Sequence, residues 1–138
     1  MRSFEYNRSN AVDYAKRWAL SRNPQYYDFH GIGGDCTNFA SQCIYAGAGV
    51  MNYTRDYGWY YISPNDRSAA WSGVEYLYRF LKTNESVGPV GRDATLSEIQ
   101  LGDVIFLSNG QRKYHTLVVT GFDTDGEILI CAHTNDSY

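Results

Sequence analysis

Three cysteines and three histidines carry the most reactive side chains of this 138-residue chain, and one cysteine stands apart from the rest. In the run Gly33-Gly34-Asp35-Cys36-Thr37-Asn38-Phe39, the glycines mark a turn. Asp35 is well placed as the N-cap of a helix over residues 36–46 that stops at Gly47. Cys36 then occupies the first turn, where unpaired N–H groups and the positive end of the helix dipole favour a thiolate. With a histidine partner, such a setting can lower a cysteine pKa from ~8.5 into the range ~3.5–7.5. Gly33 and Gly34 let the backbone pass close to a substrate, and the amide of Cys36 can face a developing oxyanion. The alternative is a core cysteine behind a glycine turn, since free cysteine is among the most buried residue types. Spacing alone does not choose between the two. Cys43, mid-helix, and Cys131, at a strand end, fit the core reading.

A thiol nucleophile needs a base. His115 opens the apolar run Thr116-Leu117-Val118-Val119, at a strand start, and His133 follows the next strand in Ala132-His133-Thr134-Asn135-Asp136. Antiparallel pairing of those strands sets the start of one beside the end of the other and brings the two histidines together. The expected set is Cys36 as nucleophile, His115 as base, and His133, Asn135 or Asp136 as the group that orients the base. His30 lies in the loop before the glycines, at the surface or in a groove. A zinc site of Cys36, His115 and His133 is the competing use of the same residues. It lacks the closely spaced ligand pairs usual for structural zinc, so neither a metal nor a cofactor is expected. Asp13 with Glu5, or Asp123 with Asp125, are the remaining paired carboxylates, and the latter pair belongs to a hairpin turn.

The elements that must position these groups divide into two halves. Ala11, Val12, Ala15, Trp18 and Ala19 recur at helical spacing over residues 10–20, with Asn7 or Ser9 available as N-cap. Arg22-Asn23-Pro24 ends that helix. Residues 50–66, rich in tyrosine and asparagine, predict a long surface loop. A third helix is expected over 69–81, with Trp71, Val74, Leu77, Tyr78 and Leu81 as its apolar stripe. After Gly88-Pro89 the period shortens. Residues 104–107, 116–119 and 128–131 are β-rich runs separated by Ser108-Asn109-Gly110 and Asp123-Thr124-Asp125-Gly126. Short links of this kind join antiparallel neighbours, so the pattern predicts an α+β domain with helices packed on one face of an antiparallel sheet.

Composition bounds what the domain can do. The length suits a single domain over residues 1–138. With 43% hydrophobic and 20% charged residues, the chain is that of a folded globular protein. A net charge of -3 leaves no basic stripe for nucleic acid. No apolar run reaches the ~20 residues of a membrane span. No signal peptide opens the chain, although a leader could have been removed. Tyrosine is abundant, 13 residues against 6 Phe and 3 Trp, which suits a groove with aromatic edges or a Tyr-rich strand surface. Cys36 and Cys43 lie two helical turns apart, roughly 10 Å along the axis and too far for a disulfide.

The order of these motifs resembles the papain-like cell-wall hydrolases, including the NlpC-type peptidases and the CHAP amidohydrolases. The likeness is greatest to the group called the putative amidase domain. It rests on residues 11–20, Asn23-Pro24-Gln25-Tyr26-Tyr27-Asp28-Phe29, Gly33-Gly34-Asp35-Cys36-Thr37-Asn38-Phe39, Ser41-Gln42-Cys43, Trp59-Tyr60-Tyr61, Gly102-Asp103-Val104-Ile105-Phe106, His115-Thr116-Leu117 and Ala132-His133-Thr134. The resemblance implies a papain-like fold and a thiol hydrolase of amide bonds in peptidoglycan or peptides, acting outside the bacterial cytoplasm. It matches Cys36 to the nucleophile, His115 to the base and His133 to the third, orienting position. It also matches Tyr27 to a tyrosine near the oxyanion site, with Asp35 and Gly34 beside it as further oxyanion or substrate-binding residues. Relatives continue past the equivalent of Tyr138 with another strand. A monomer is expected. The competing functions are a non-catalytic cell-wall or protein-binding module on the same fold, and a transferase that passes the acyl group to an amine.

Overall fold

Asn7 leaves the chain extended and turns it into the first helix, its side chain accepting the Asn10 N–H at 3.0 Å. In the computed structural model, which describes residues 5–29 and 34–133, helix α1 runs Arg8–Trp18 and buries Ala11, Val12 and Ala15. Ser9, the other candidate cap, is already helical. Small residues on this face let α1 lie close to α2, Asp35–Ala48, and the two helices rest on the sheet through Ala15, Phe39, Ala40, Cys43 and Val118.

Helix α2 is longer at both ends than its sequence signals suggest. Gly34, not Asp35, is its N-cap, in a left-handed conformation (φ 91°), and Asp35 is the first helical residue. At the other end Gly47 lies inside the helix, and the left-handed stop comes at Gly49. Gly47 serves close approach instead. Its carbonyl accepts the Asn7 N–H at 2.9 Å, and an added Cβ would stand 2.4 Å from the Tyr6 ring and 2.8 Å from the Asn7 carbonyl oxygen. Gly47→Ala is therefore expected to lower stability by about 1–3 kcal/mol despite alanine's better helix propensity. Urea denaturation checks this, and an unchanged or raised midpoint would contradict the packing described.

The segment 50–66 is not a surface loop. Asn52 and Trp59 form a β-bridge, with N–H···O distances of 2.8 and 2.7 Å. Strands β1 (Tyr61–Ser63) and β2 (Asp66–Arg67) then make a small hairpin. Trp59, Tyr60 and Tyr61 are buried in a core shared with Trp71, Leu77, Phe80 and Leu81. Asparagine is polar by composition, but Asn52 uses its side chain internally, donating to Val87 O and accepting the Thr54 N–H. The expected helix over 69–81 breaks at Gly73 into α3 (Ala69–Ser72) and α4 (Val74–Thr83). Gly73 is extended, and a Cβ there would press on the Tyr76 ring at 2.8 Å and Ala69 O at 2.9 Å. The buried face of α4 is Leu77, Phe80 and Leu81, whereas Tyr78 lies against Phe106.

Strands β3 (Val104–Ser108), β4 (Lys113–Phe122) and β5 (Ile128–Cys131) form an antiparallel sheet in the order β3-β4-β5. Leu107 pairs with His115 and Val118 with Cys131, so the start of β4 does lie at the level reached by the chain just after β5. The architecture is thus mixed α+β with antiparallel sheets. Among the described residues, no helix is long and apolar enough to cross a membrane.

Candidate active site

The entry to α2 is built to be tight. A side chain at Gly34 would strike Ser72 O at 2.8 Å, and the positive φ independently favours glycine. The next residue, Asp35, is buried (3% exposed) and gathers three donors and a guanidinium. Its Oδ1 accepts the Phe29 N–H at 3.1 Å and Asn38 Nδ2 at 3.2 Å. Its Oδ2 accepts His133 Nδ1 at 2.8 Å and is ion-paired with the Arg22 guanidinium, whose Nε lies 3.1 Å away. Burial alone would raise the Asp35 pKa. The hydrogen bonds from His133, Asn38 and the Phe29 N–H outweigh it and hold the carboxyl below its ordinary value.

Cys36 follows in the first turn, half-buried, as the sequence suggested. The first intrahelical bond of α2 is Asn38 N–H to Gly34 O at 2.9 Å, so the Cys36 N–H is one of the helix-start donors with no intrahelical acceptor. Its Sγ lies 3.7 Å from Thr37 Oγ1. Thr37 Oγ1 in turn is 3.0 Å from Thr116 Oγ1, both fully buried, and Thr116 is the residue after His115. One hydroxyl pair therefore ties the start of α2 to the start of β4, the two segments that carry Cys36 and His115. The two side chains share no hydrogen bond among the described residues. His115 Nε2 is buried with no partner among the described residues, and burial lowers the His115 pKa below its ordinary value. A neutral imidazole at neutral pH is the form that can take a proton.

His133 does not hold His115. Its Nδ1 is taken by Asp35 and its Nε2 lies 2.7 Å from the carbonyl oxygen of Trp18. The Phe39 ring stacks on it at 3.8 Å. The strands do juxtapose the two histidines along the chain, but His133 is turned onto α2 and the end of α1. For the same reason it is not available to complete a zinc set with Cys36 and His115. No group of three His, Cys, Asp or Glu residues able to hold a metal is present among the described residues. Asn135 and Asp136, the other candidates for orienting the base, and His30 and Gly33 lie outside the described residues.

Tyr27 is placed by its backbone. Its N–H donates to the Tyr61 hydroxyl at 2.8 Å, and its carbonyl accepts Asn38 Nδ2 at 3.0 Å, within one turn of Cys36. Its ring packs edge-to-face on Phe29 and stays 46% exposed. The polar residues after Cys36, quoted above only as part of a motif, prove to be anchors. Asn38 Oδ1 accepts Trp71 Nε1 at 3.0 Å, Ser41 Oγ bridges Trp59 Nε1 and Trp71 O, and Gln42 accepts the Tyr14 hydroxyl. Cys43, two turns on, is fully buried, and burial pushes its thiol well above the ordinary value. All three cysteines are free thiols, and Cys36 alone starts a helix.

Sequence reading missed the Thr37–Thr116 contact and the roles of Arg22 and the Trp18 carbonyl. A signal was present for the Asp35–His133 pair, since both residues stood out singly, but nothing in their local spacing joins them. A family model described as the putative amidase domain matches residues 5–138. The chain is also 33% identical over 141 residues to the uncharacterized protein YhbB of Bacillus subtilis (strain 168), an alignment covering 99% of this chain and 44% of that protein. The chain thus spans less than half the length of that curated relative. No solved structure matches it.

Proposed function

Because the chain belongs to the putative amidase domain family, we propose that it is a cysteine-dependent hydrolase of amide bonds, with Cys36 as nucleophile and His115 as base. The observation that supports this reading is the Thr37–Thr116 hydroxyl contact, which ties the helix start that carries Cys36 to the strand start that carries His115. The reading extends to a papain-like fold and to peptidoglycan or a peptide as substrate, outside the bacterial cytoplasm.

The chemistry follows from the placement of each group. His115 takes the Cys36 Sγ–H proton, the sulfur attacks the amide carbonyl carbon, and the developing oxyanion is met by the Cys36 N–H and the Tyr27 hydroxyl. The imidazolium of His115 gives its proton to the leaving nitrogen, the C–N bond breaks, and a thioester remains on Cys36. His115, now neutral, takes a proton from water as the water oxygen attacks the thioester. The C–S bond breaks, the acid leaves, and His115 returns its proton to the Cys36 sulfur. His115 Nε2 has no partner among the described residues, which leaves a role for a third residue that accepts that N–H and fixes the ring. With His133 engaged elsewhere, Asn135 and Asp136 are the candidates for this role.

The test joins labelling to product analysis. Iodoacetamide at neutral pH should alkylate Cys36, spare Cys43 and abolish release of amine from peptidoglycan fragments. Persistent release after complete Cys36 alkylation would sink the mechanism. Analysis of the products with an added amine separates hydrolysis from acyl transfer. Absence of either product across muropeptides and simple peptide amides would favour a binding module.

A further inference from the structure

The donors and acceptors around Asp35 settle a protonation state. Asp35 Oδ1 accepts from two donors, Phe29 N–H and Asn38 Nδ2, while Oδ2 lies 2.8 Å from His133 Nδ1 and 3.1 Å from Nε of the Arg22 guanidinium. The guanidinium beside Oδ2 and the two donors on Oδ1 hold Asp35 as the carboxylate, which can only accept, so His133 Nδ1 carries the hydrogen of that contact. On the far side of the ring, Nε2 lies 2.7 Å from Trp18 O, and a carbonyl oxygen can only accept. Both ring nitrogens therefore hold a proton. We infer that His133 is an imidazolium and that the Asp35–His133 pair is a positioning device for Cys36, clamping the end of α1 to the start of α2. The second half of this inference rests on the reading of Cys36 as nucleophile.

The surroundings suit a cation in that place. Trp18 closes α1 at the negative end of its dipole, and its carbonyl, which accepts the Ser21 N–H at 3.3 Å, has a second lone pair for His133. Asp35 opens α2, where the positive end of the dipole favours an anion. His133 and Asp35 are almost wholly buried, 2% and 3% exposed at the side chain, so each charge needs the other. The Phe39 ring lies flat against the imidazole at 3.8 Å, giving the cation a π face. Arg22, from the segment after α1, is the other charged group on Asp35, and its Nε is shared with Asp28 Oδ1 at 3.2 Å. Asp35 directly precedes Cys36, so its three donors, from residues 29, 38 and 133, and its ion pair with Arg22 fix the backbone that aims the Cys36 N–H and sulfur. His133 acts through Asp35, not on the reacting atoms.

The test uses the whole chain with ¹⁵N-labelled imidazoles. At neutral pH, wild-type His133 should show two protonated ring nitrogens, whereas a spectrum with one bare nitrogen would overturn the charge assignment. Asp35→Asn keeps an acceptor for Phe29 and Asn38 and turns a donor toward His133, while Arg22 retains Asp28. In this variant His133 should fall to a singly protonated ring. Alkylation of Cys36 by iodoacetamide and kcat on a muropeptide amide should each drop about 10²-fold, with KM within about twofold. His133→Gln should lower both rates similarly. Wild-type rates in a folded Asp35→Asn chain would overturn the positioning role, whatever the ring spectra show. A wild-type chain that hydrolyses no amide overturns the hydrolase reading alone, because ring spectra and alkylation rates still decide the clamp.

Discussion

Cys36→Ser should lower amide turnover by about 10⁴-fold or more, with little change in stability. A loss of that size corresponds to about 5 kcal/mol of transition-state stabilisation. The substitution keeps the shape of the side chain and removes the thiolate, the species that attacks. A serine hydroxyl in the same place would need a far stronger base than a lone His115, whose Nε2 has no partner among the described residues. Stability should move by less than about 1 kcal/mol, because the half-buried sulfur makes one weak polar contact, 3.7 Å to Thr37 Oγ1. The measurement is steady-state amine release beside a urea melt of the same preparation. A folded Cys36→Ser chain with turnover within tenfold of wild type would end the nucleophile assignment.

Trp71→Ala should be the most destabilising single truncation in the domain. The indole is fully buried and meets the rings of Tyr26, Tyr45, Trp59 and Tyr61, with centroids 4.9–6.3 Å away. Removing a buried tryptophan costs about 3–5 kcal/mol in lost burial and residual cavity. Losing the indole N–H also strands Asn38 Oδ1 in the interior, which adds about 1–3 kcal/mol. Against a typical total stability of about 5–15 kcal/mol, this leaves the chain largely unfolded or barely folded at room temperature. Trp71→Phe separates the two parts, keeping most of the volume and deleting the donor, and should cost about 1–3 kcal/mol. Urea midpoints of both variants test the partition. A loss below about 1 kcal/mol for Trp71→Ala would mean that the aromatic cluster is not the main core.

The two predictions concern one structure, because the same helix turn serves both. Asn38 bonds Asp35 on one side and Trp71 on the other, so the core braces the residue before Cys36. Trp71→Phe should accordingly slow Cys36 alkylation as well as lower stability.

Features that depend on neighbours in the chain were legible from the residues alone. The 3.6-residue spacing of Ala11, Val12 and Ala15 fixed the buried face of α1, with Asn7 as its cap. The β-rich runs and their Asn-Gly and Asp-Gly turns located β3, β4 and β5 in antiparallel order. The glycine turn before Cys36 marked the start of α2, with the thiol in its first turn. What folding in three dimensions decided is where polar side chains find partners. Asn52, Trp59 and Tyr61 read as loop residues because tyrosine and asparagine suit wet positions, yet they are buried where distant acceptors and rings complete them. Gly47 read as a helix stop, but Tyr6 and Asn7 require a glycine there for packing. His133 read as an orienter of His115 because strand pairing places their backbones together. Its ring instead turns to Asp35, 98 residues earlier in the chain, and to Trp18, 115 residues earlier. A buried charge must be matched by whatever group the fold brings to it, and no local spacing encodes that partner.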